Sequence, residues 1–334
     1  MNRRRTTRDD VARLAGTSTA VVSYVINDGP RNVSEERRAR VLSAMATLDY
    51  HPNAIARSLA ATETRTVGMI VPNISNSYFS ELSLEVEEAA AQRERLLFVG
   101  NSNEDPKRED EYISSFLEQQ VDAIIIIGVA QSSSVRRAFS SGVSVVVVDR
   151  AIEGSHATTV SIDHRAAAFT ATQHLIEHGH TAIACLGGPK DQSVAQDRER
   201  GWADALTLAG IDPAEQVQLN SPFSLAGGSA AAERLWTEPG ITPTAVFVAS
   251  DEQARGLLAA VPRGNRHVPT DLAITSVDGT REGEFTNPAL TTVRQPFSLI
   301  AEKAISFALA GDRPEPGHVV VGSDLVIRQS CGCA

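Results

Sequence analysis

The chain has 334 residues, 42% of them hydrophobic and 22% charged, with 31 Lys and Arg against 41 Asp and Glu for a formal net charge of −10. That is the balance of a water-soluble globular protein with two or three domains. No apolar run approaches the roughly 20 residues of a membrane-spanning helix, and no membrane partner is expected.

The basic start, "MNRRRTTRDD", has no apolar stretch after it and does not read as a secretory signal. Three cysteines, Cys185, Cys331 and Cys333, make no disulfide framework, so a reducing cytoplasm is the expected setting. The charge is unevenly placed. Residues 1–65 hold 11 Arg and no Lys against 7 acids, a net +4, and the remainder carries −14. A basic head on an acidic body directs a polyanion to the head, although an incidental arginine cluster has the same composition.

In chain order, Thr7 with Asp10 three residues later has the form of a capping box, and Val11, Ala12, Leu14 and Ala15 supply a buried face up to Gly16. Ser18 is positioned to cap a second helix running to Val25, with Val21, Val22, Val25 and Ile26 available for packing. Ser34 opens a third, in which Val41, Leu42, Met45 and Leu48 recur at helical spacing. Three short helices with a glycine turn between the first two form the helix–turn–helix plan; alone they also describe a plain bundle. His51-Pro52 ends the third helix, because the residue before proline is pushed out of the α region. Asn53 can cap the segment "AIARSLA", which is too short to be a stable helix alone and by composition reads as a linker.

From Thr66 onward strand and helix alternate. "VGMIVPN", "LLFVGN", "VDAIIIIG" and "VSVVVVDR" are near-continuous apolar runs, as strands covered on both faces require. A second series follows from about Val160, through "TAIACLGG", "TAVFVASD" and "LAITSVDG". Two α/β lobes in series are expected, and ligands in open parallel sheets bind beyond the carboxyl ends of the strands. Tyr78 and Phe79 follow the first strand, and Asp149 ends the last strand of the first lobe. Asp163 lies just past the passage into the second, Phe223 in the loop after "VQLN", and Gln295 in "TTVRQP". Asp251 and Asp278 stand at strand ends. Carboxylates around an aromatic wall suit a polyhydroxylated ligand, with hydrogen bonds to vicinal hydroxyls and stacking on its apolar face.

Other signals point nowhere specific. Cys331-Gly332-Cys333 offers two thiols at a tail with no histidine pair nearby in sequence, and His174, His178 and His180 read as a helix-end cap. "LGGPKDQ" lacks the Gly-Lys-Ser/Thr ending of a phosphate loop. No nucleophile elbow is present. No metal, no cofactor and no catalytic residue are expected.

The stretch "DVARLAGTSTAVVSYVINDGPRNVSEERRARVLSAMATLDYHPNAIARSLA" resembles the head of the lac-repressor/galactose-repressor family of bacterial transcription regulators, and the likeness continues over nearly the whole chain. The resemblance implies a DNA-binding set of Thr7, Ser18, Thr19, Ala20, Ser23, Tyr24, Asn27, Asn53, Arg57 and Leu59. In it, Thr19, Ala20 and Tyr24 face bases in the major groove, and Ser18, Ser23 and Asn27 face the phosphate backbone. Leu59 is the hinge wedge in the minor groove. Two departures are visible: Val21 where the family commonly has Thr, and Tyr24 where it often has Arg or His. Arginine would read guanine in bidentate fashion. Tyr24 offers one hydroxyl and a ring edge, for a single hydrogen bond or a thymine methyl, or else simply packs.

The family fold implies a head over 1–50, a hinge over 51–64, and a two-lobed core over 65–334 like the periplasmic sugar-binding proteins. Lobe 1 would span about 65–161 and 293–322, and lobe 2 about 162–291 and 323–334. Arg198 in "DRERGW" matches the family's Arg-x-x-Gly-aromatic element and joins the effector set, while Ser276-Val277-Asp278-Gly279 departs from the usual "VVGFD". The implied function is a ligand-responsive regulator, not an enzyme. It would bind a palindromic operator in double-stranded DNA as a homodimer and be released by a small sugar-like effector. A co-repressor-dependent regulator is the alternative. A transport solute-binding protein or an α/β enzyme fits less well, given the intact head and hinge.

Overall fold

The structure, a computed structural model, describes residues 6–27, 32–51, 64–127, 132–150, 157–310 and 317–333. The chain divides into two units, Met1–Thr64 and Arg65–Ala334. In the first, α1 (Arg8–Leu14), α2 (Thr19–Asn27) and α3 (Glu35–Thr47) enclose a small core of Val11, Ala12, Ala15, Val22, Val25, Val41 and Ala44. Thr7 completes the capping box: its hydroxyl accepts from the Asp10 amide, and the Asp10 carboxylate accepts from the Thr7 amide at 2.9 Å. Gly16, at φ +61, makes the left-handed turn that lets α2 fold back. Ser18 Oγ accepts from the Val21 amide at 3.4 Å and so caps α2.

Two expected core residues are not in the core: Leu14 is 53% exposed and Leu42 52% exposed. At 3.6 residues per turn each lies about 100° round its helix from the centre of the buried face, and Ala44 fills the place assigned to Leu42. Ser34 precedes α3 but forms no side-chain cap.

The second unit holds two six-stranded sheets of the same winding. In the first, the order is β2 (Leu96–Asn101), β1 (Thr66–Val71), β3 (Ala123–Ile126), β4 (Ser144–Val148), β5 (Thr158–Ile162) and β11 (His318–Val321), all parallel. In the second, the order is β7 (Gln218–Asn220), β6 (Ile183–Gly187), β8 (Ala245–Val248), β9 (Ala273–Asp278), β10 (Thr291–Arg294) and β12 (Asp324–Val326), with β12 alone antiparallel. Strands β3, β8 and β9 are buried along their whole length, because helices cover both faces of each sheet.

The helices α4 (Ser77–Ala91), α5 (Pro106–Glu118) and α6 (Ser132–Ser140) belong to the first lobe. The second lobe holds α7 (His164–Glu177), α8 (Ser193–Leu208), α9 (Leu225–Arg234) and α10 (Asp251–Ala260). After β10 the chain returns to the first lobe as α11 (Phe297–Ala308), which packs on α4 and β4. It therefore passes between lobes three times: after Ile162, between Arg294 and Phe297, and between Val321 and Asp324. The second passage falls later than a lobe boundary at 293, because Thr291–Arg294 pair with β9 on one side and partly with β12 on the other. Among the described residues no helix is long and apolar enough to cross a membrane.

Close helix contact in the second lobe depends on glycine. A Cβ on Gly228 of α9 would stand 1.8 Å from the Gln253 carbonyl oxygen, and one on Gly256 of α10 would stand 2.0 Å from that of Leu225. Backbone cannot yield as a side-chain tip does. Gly228→Ala should therefore destabilise the core by roughly 1–3 kcal/mol through overpacking. Gly264→Ala, which meets nothing within 4 Å, should leave urea unfolding of the core nearly unchanged.

Candidate functional site

On the head, Ser18, Thr19 and Ala20 at the start of α2 are exposed, while Ser23 and Tyr24 one turn later are half-buried. The Tyr24 hydroxyl makes no hydrogen bond to a described residue. The Thr7 hydroxyl is engaged with Asp10 at 2.6 Å. Asn27 closes α2, and Asn53, Arg57 and Leu59 lie outside the described residues. The first turn of α2 thus presents small side chains and free surface, as insertion of a helix end into a groove requires.

In the two-lobed core, strand ends and helix starts from both lobes meet in a buried polar ring. Arg198, 3% exposed on α8, is its centre. Its Nη2 donates to Asp278 Oδ1 at 3.2 Å and to His164 Nδ1 at 3.2 Å, and its Nη1 donates to the Ala249 carbonyl. A guanidinium has only donors, so His164 Nδ1 is the acceptor nitrogen and Nε2 carries the proton. That Nε2 faces the Asp149 carbonyl at 3.1 Å and Asp149 Oδ1 at 3.3 Å. The ring closes through Tyr78, whose hydroxyl donates to Asp149 Oδ1 at 3.1 Å and lies 3.4 Å from Gln295 Oε1. Gln295 Nε2 in turn donates to Asp278 Oδ1 at 3.0 Å. Among the described residues no acceptor reaches the buried Nε of Arg198.

The two carboxylates of the ring are held in backbone conformations that non-glycine residues seldom adopt. Asp149 has φ +75 and Asp278 φ +140. Neighbouring strands impose them: the Asp149 amide bonds to the Val160 carbonyl at 3.0 Å, and the Asp278 carbonyl accepts from the Gln295 amide at 2.9 Å. Their charges diverge. Burial pushes Asp149 up, but the His164 hydrogen bond and the Arg198 and Arg150 guanidinium groups prevail and hold it well below the usual carboxylate range. Burial also pushes Asp278 up, to about 7. Arg198 opposes the rise, and Asp251 and Asp149 add to it.

The remaining expected residues have other surroundings. Asp251 is buried beneath the ring with both oxygens occupied. Oδ1 accepts from Ser276 and Thr292 at 2.6 Å each, and Oδ2 accepts from the Thr280 amide at 2.7 Å and its hydroxyl at 2.9 Å. Asp251 therefore ties β9 to β10. Asp163 is exposed and caps α7 through the Ala166 amide. Phe79 belongs to the apolar core, edge-on to Tyr78 with ring centroids 5.1 Å apart. Phe223 packs over Gly188, and its carbonyl accepts from Asn76 Nδ2 of the other lobe at 3.1 Å. Phe297 completes the aromatic side, 5.5 Å from the Tyr78 ring.

His164 and Asn76 were missed from sequence. His164 sits beside Asp163 at the lobe passage, and that position was the available signal. At the tail, His178 caps the end of α7 as expected, its Nδ1 2.7 Å from the His174 carbonyl, but it and His174 also lie beside the Cys331-Gly332-Cys333 thiols, which have no histidine pair nearby in sequence.

The raised Asp278 carries a definite pH signature. It is protonated in the folded chain and ionised in the unfolded one between about pH 4 and about pH 7, so the folded state binds the extra proton there. Its contribution to stability therefore falls as pH rises through that window and levels off above it. Relative to Asp278→Asn, the wild-type Tm should decline from pH 4.5 to pH 7.5, by an amount worth up to a few kcal/mol. A constant difference in Tm across the range would show that Asp278 stays ionised beside Arg198.

Comparison with known proteins agrees with both units. Residues 7–53 match the family model for bacterial regulatory proteins of the lacI family, and residues 172–331 match that for a periplasmic binding protein-like domain. Catabolite control protein A of Staphylococcus xylosus is 38% identical over 289 residues, covering 86% of this chain and 87% of that protein. The crystal structure of the lac repressor dimer bound to operator and the anti-inducer ONPF matches with a TM-score of 0.86 at 25% identity, covering 98% of this chain and 99% of that one. The complex of the transcriptional regulator CelR with cellobiose matches with a TM-score of 0.71 at 27% identity, covering 98% and 100%. Head, two-lobed core and this extent of identity lead to one conclusion: the chain belongs to the lac-repressor/galactose-repressor family, whose members are DNA-binding transcriptional regulators and not enzymes.

Proposed function

We propose that this regulator is a repressor that binds a palindromic operator as a homodimer in the cytoplasm and is released when a small sugar-like molecule occupies the cleft. The observation that carries the reading is the buried ring of Tyr78, Asp149, His164, Arg198, Asp278 and Gln295, drawn from both lobes, with one guanidinium N–H that meets no acceptor among the described residues. Asp149 and Asp278 accept from vicinal hydroxyls, Arg198 donates to a ring or hydroxyl oxygen, and Tyr78, Phe297 and Phe223 cover the apolar face of the ligand. The similarity to a regulator solved with cellobiose supports this ligand class.

Regulation follows from linkage. A ligand bridging the lobes favours one arrangement of them, and it can shift operator affinity only by its differential affinity for the two arrangements. The operator end of the mechanism rests on the head and on the hinge pattern Pro52-Asn53-x-x-Ala56-Arg57-Ser58-Leu59. Asn53 and Arg57 face the backbone or groove, and Leu59 wedges into the minor groove, where unstacking costs a few kcal/mol that the bent DNA returns in contacts. Tyr24 contributes one hydrogen bond or a methyl contact per half-site, giving a base preference unlike that of arginine-bearing relatives.

The effector class is tested by a thermal-shift screen against mono- and disaccharides, sugar phosphates, nucleobases and nucleosides. A ligand at 100 times its Kd adds roughly 2.7 kcal/mol of stability. A sugar that raises Tm and also weakens operator binding bears the proposal out, whereas one that strengthens operator binding makes the protein co-repressor-dependent. Arg198→Ala should abolish the effector response and leave operator affinity near wild type; a variant still responding at wild-type ligand concentrations removes Arg198 from the site. Leu59→Ala should weaken operator binding far more than non-specific binding at the same salt concentration. Equal loss of both in a titration would refute the wedge.

A further inference from the structure

The C-terminal tail and the end of α7 bring together side chains more than 150 residues apart in sequence. Cys333 Sγ lies 2.9 Å from His178 Nε2 and 3.2 Å from His174 Nε2, and Cys331 Sγ lies 3.0 Å from Cys333 Sγ. The Cys333 sulfur and one nitrogen from each histidine all fall within 4.8 Å of one another.

Each element is held in place for this meeting. Ser330 pins the tail to the second sheet: its hydroxyl donates to the Ile274 carbonyl at 2.7 Å and accepts from the Thr291 amide at 2.8 Å. Gly332, at φ +85, then turns the chain between the two thiols, which lie 3.0 Å apart. At the end of α7, the i, i+4 spacing brings the imidazoles together, with centroids 4.5 Å apart and planes inclined at 50°. His178 Nδ1 donates to the His174 carbonyl at 2.7 Å, which leaves Nε2 as the lone-pair nitrogen, aimed at Cys333. A backbone carbonyl fixing the far nitrogen is the usual support of a metal-binding histidine. Cys331 has similar support, since the Thr291 hydroxyl donates to its sulfur at 3.1 Å.

The His178 Nε2 lone pair and the Cys333 sulfur converge at one point, where a thiophilic cation takes the place of the thiol proton between them. We propose that the chain binds one thiophilic divalent cation, zinc, through His174 Nε2, His178 Nε2 and Cys333 Sγ, with Cys331 Sγ, 3.0 Å from Cys333 Sγ, as the nearest thiol for the fourth position. Two thiolates and two imidazoles are a tetrahedral zinc set, and the absence of oxygen donors disfavours magnesium and calcium. Zinc distances of about 2.0–2.1 Å to nitrogen and 2.3 Å to sulfur demand donor separations of roughly 3.4–3.8 Å. The contacts of Cys333 with the two imidazoles need only to widen by about half an ångström, which side-chain rotation of the exposed Cys333 provides, whereas Cys331, outside that close group, must turn from the Arg328 carbonyl toward them to complete the set. Binding releases the two thiol protons to solvent. The cation staples the tail to the end of α7, the helix whose first residue, His164, stands in the cleft ring.

The test uses the full-length chain without a metal-binding tag, purified without chelator. Elemental analysis should find one zinc per chain. Cobalt added to the metal-free protein should give a thiolate-to-cobalt charge-transfer band and the visible bands of tetrahedral cobalt. Cys333→Ser and His178→Gln, checked for folding by circular dichroism, should lose the zinc and alter the cobalt spectrum. Folded wild-type protein with neither zinc nor cobalt bands overturns the proposal, as does zinc retained at full occupancy in both variants. Thiol titration that finds Cys331 and Cys333 oxidised to each other in metal-free protein, with no uptake of cobalt after reduction, also overturns it.

Discussion

Arg198 places a full positive charge between two lobes, almost out of contact with water, and a buried guanidinium is tolerated only where acceptors surround it. Those acceptors come from separate elements: Asp278 at the end of β9, the Ala249 carbonyl after β8, and His164 at the start of α7. His164 passes the constraint on to Asp149 of the other lobe, and Gln295, in a passage between lobes, links Asp278 to Tyr78. The network thus couples the lobes.

The same network explains the unusual backbone at its two carboxylates. Asp149 and Asp278 occupy positive φ at strand ends, where each lobe's sheet delivers side chains into the cleft. Such conformations persist because the neighbouring strands bond the backbone on either side and the ring bonds the side chain. Asp251 plays the supporting part. Its four hydrogen bonds hold Ser276, Thr280 and Thr292 together beneath Asp278, so its negative charge both shapes the floor of the site and raises the proton affinity of the carboxyl above it.

Much of this was legible from sequence because it follows local rules. Near-continuous Val and Ile runs mark strands covered on both faces, and Thr7 with Asp10 announces a helix start. The strand-end rule pointed to Tyr78, Asp149, Asp278 and Gln295, which the structure joins in one ring, because parallel sheets gather loop side chains at one edge. Arg198 came from resemblance instead, for a mid-helix arginine carries no local signal of burial. The same rules misplaced Leu14 and Leu42, because an apolar residue at approximately helical spacing can still lie a third of a turn off the buried face.

What the linear chain determined by itself is therefore the alternation of elements, the helix–turn–helix head and the family pattern, each encoded within a few residues of one another. Only the tertiary structure decided which strand-end carboxylate faces the cleft and which, like Asp163 and Asp251, caps a helix or ties a sheet. It alone brought His164 between Asp149 and Arg198, and a tail of two thiols against two histidines from the middle of the chain. The physical reason is common to all of these: each partnership joins residues at long sequence separation, and its geometry exists only once both sheets have formed and the chain has crossed between them.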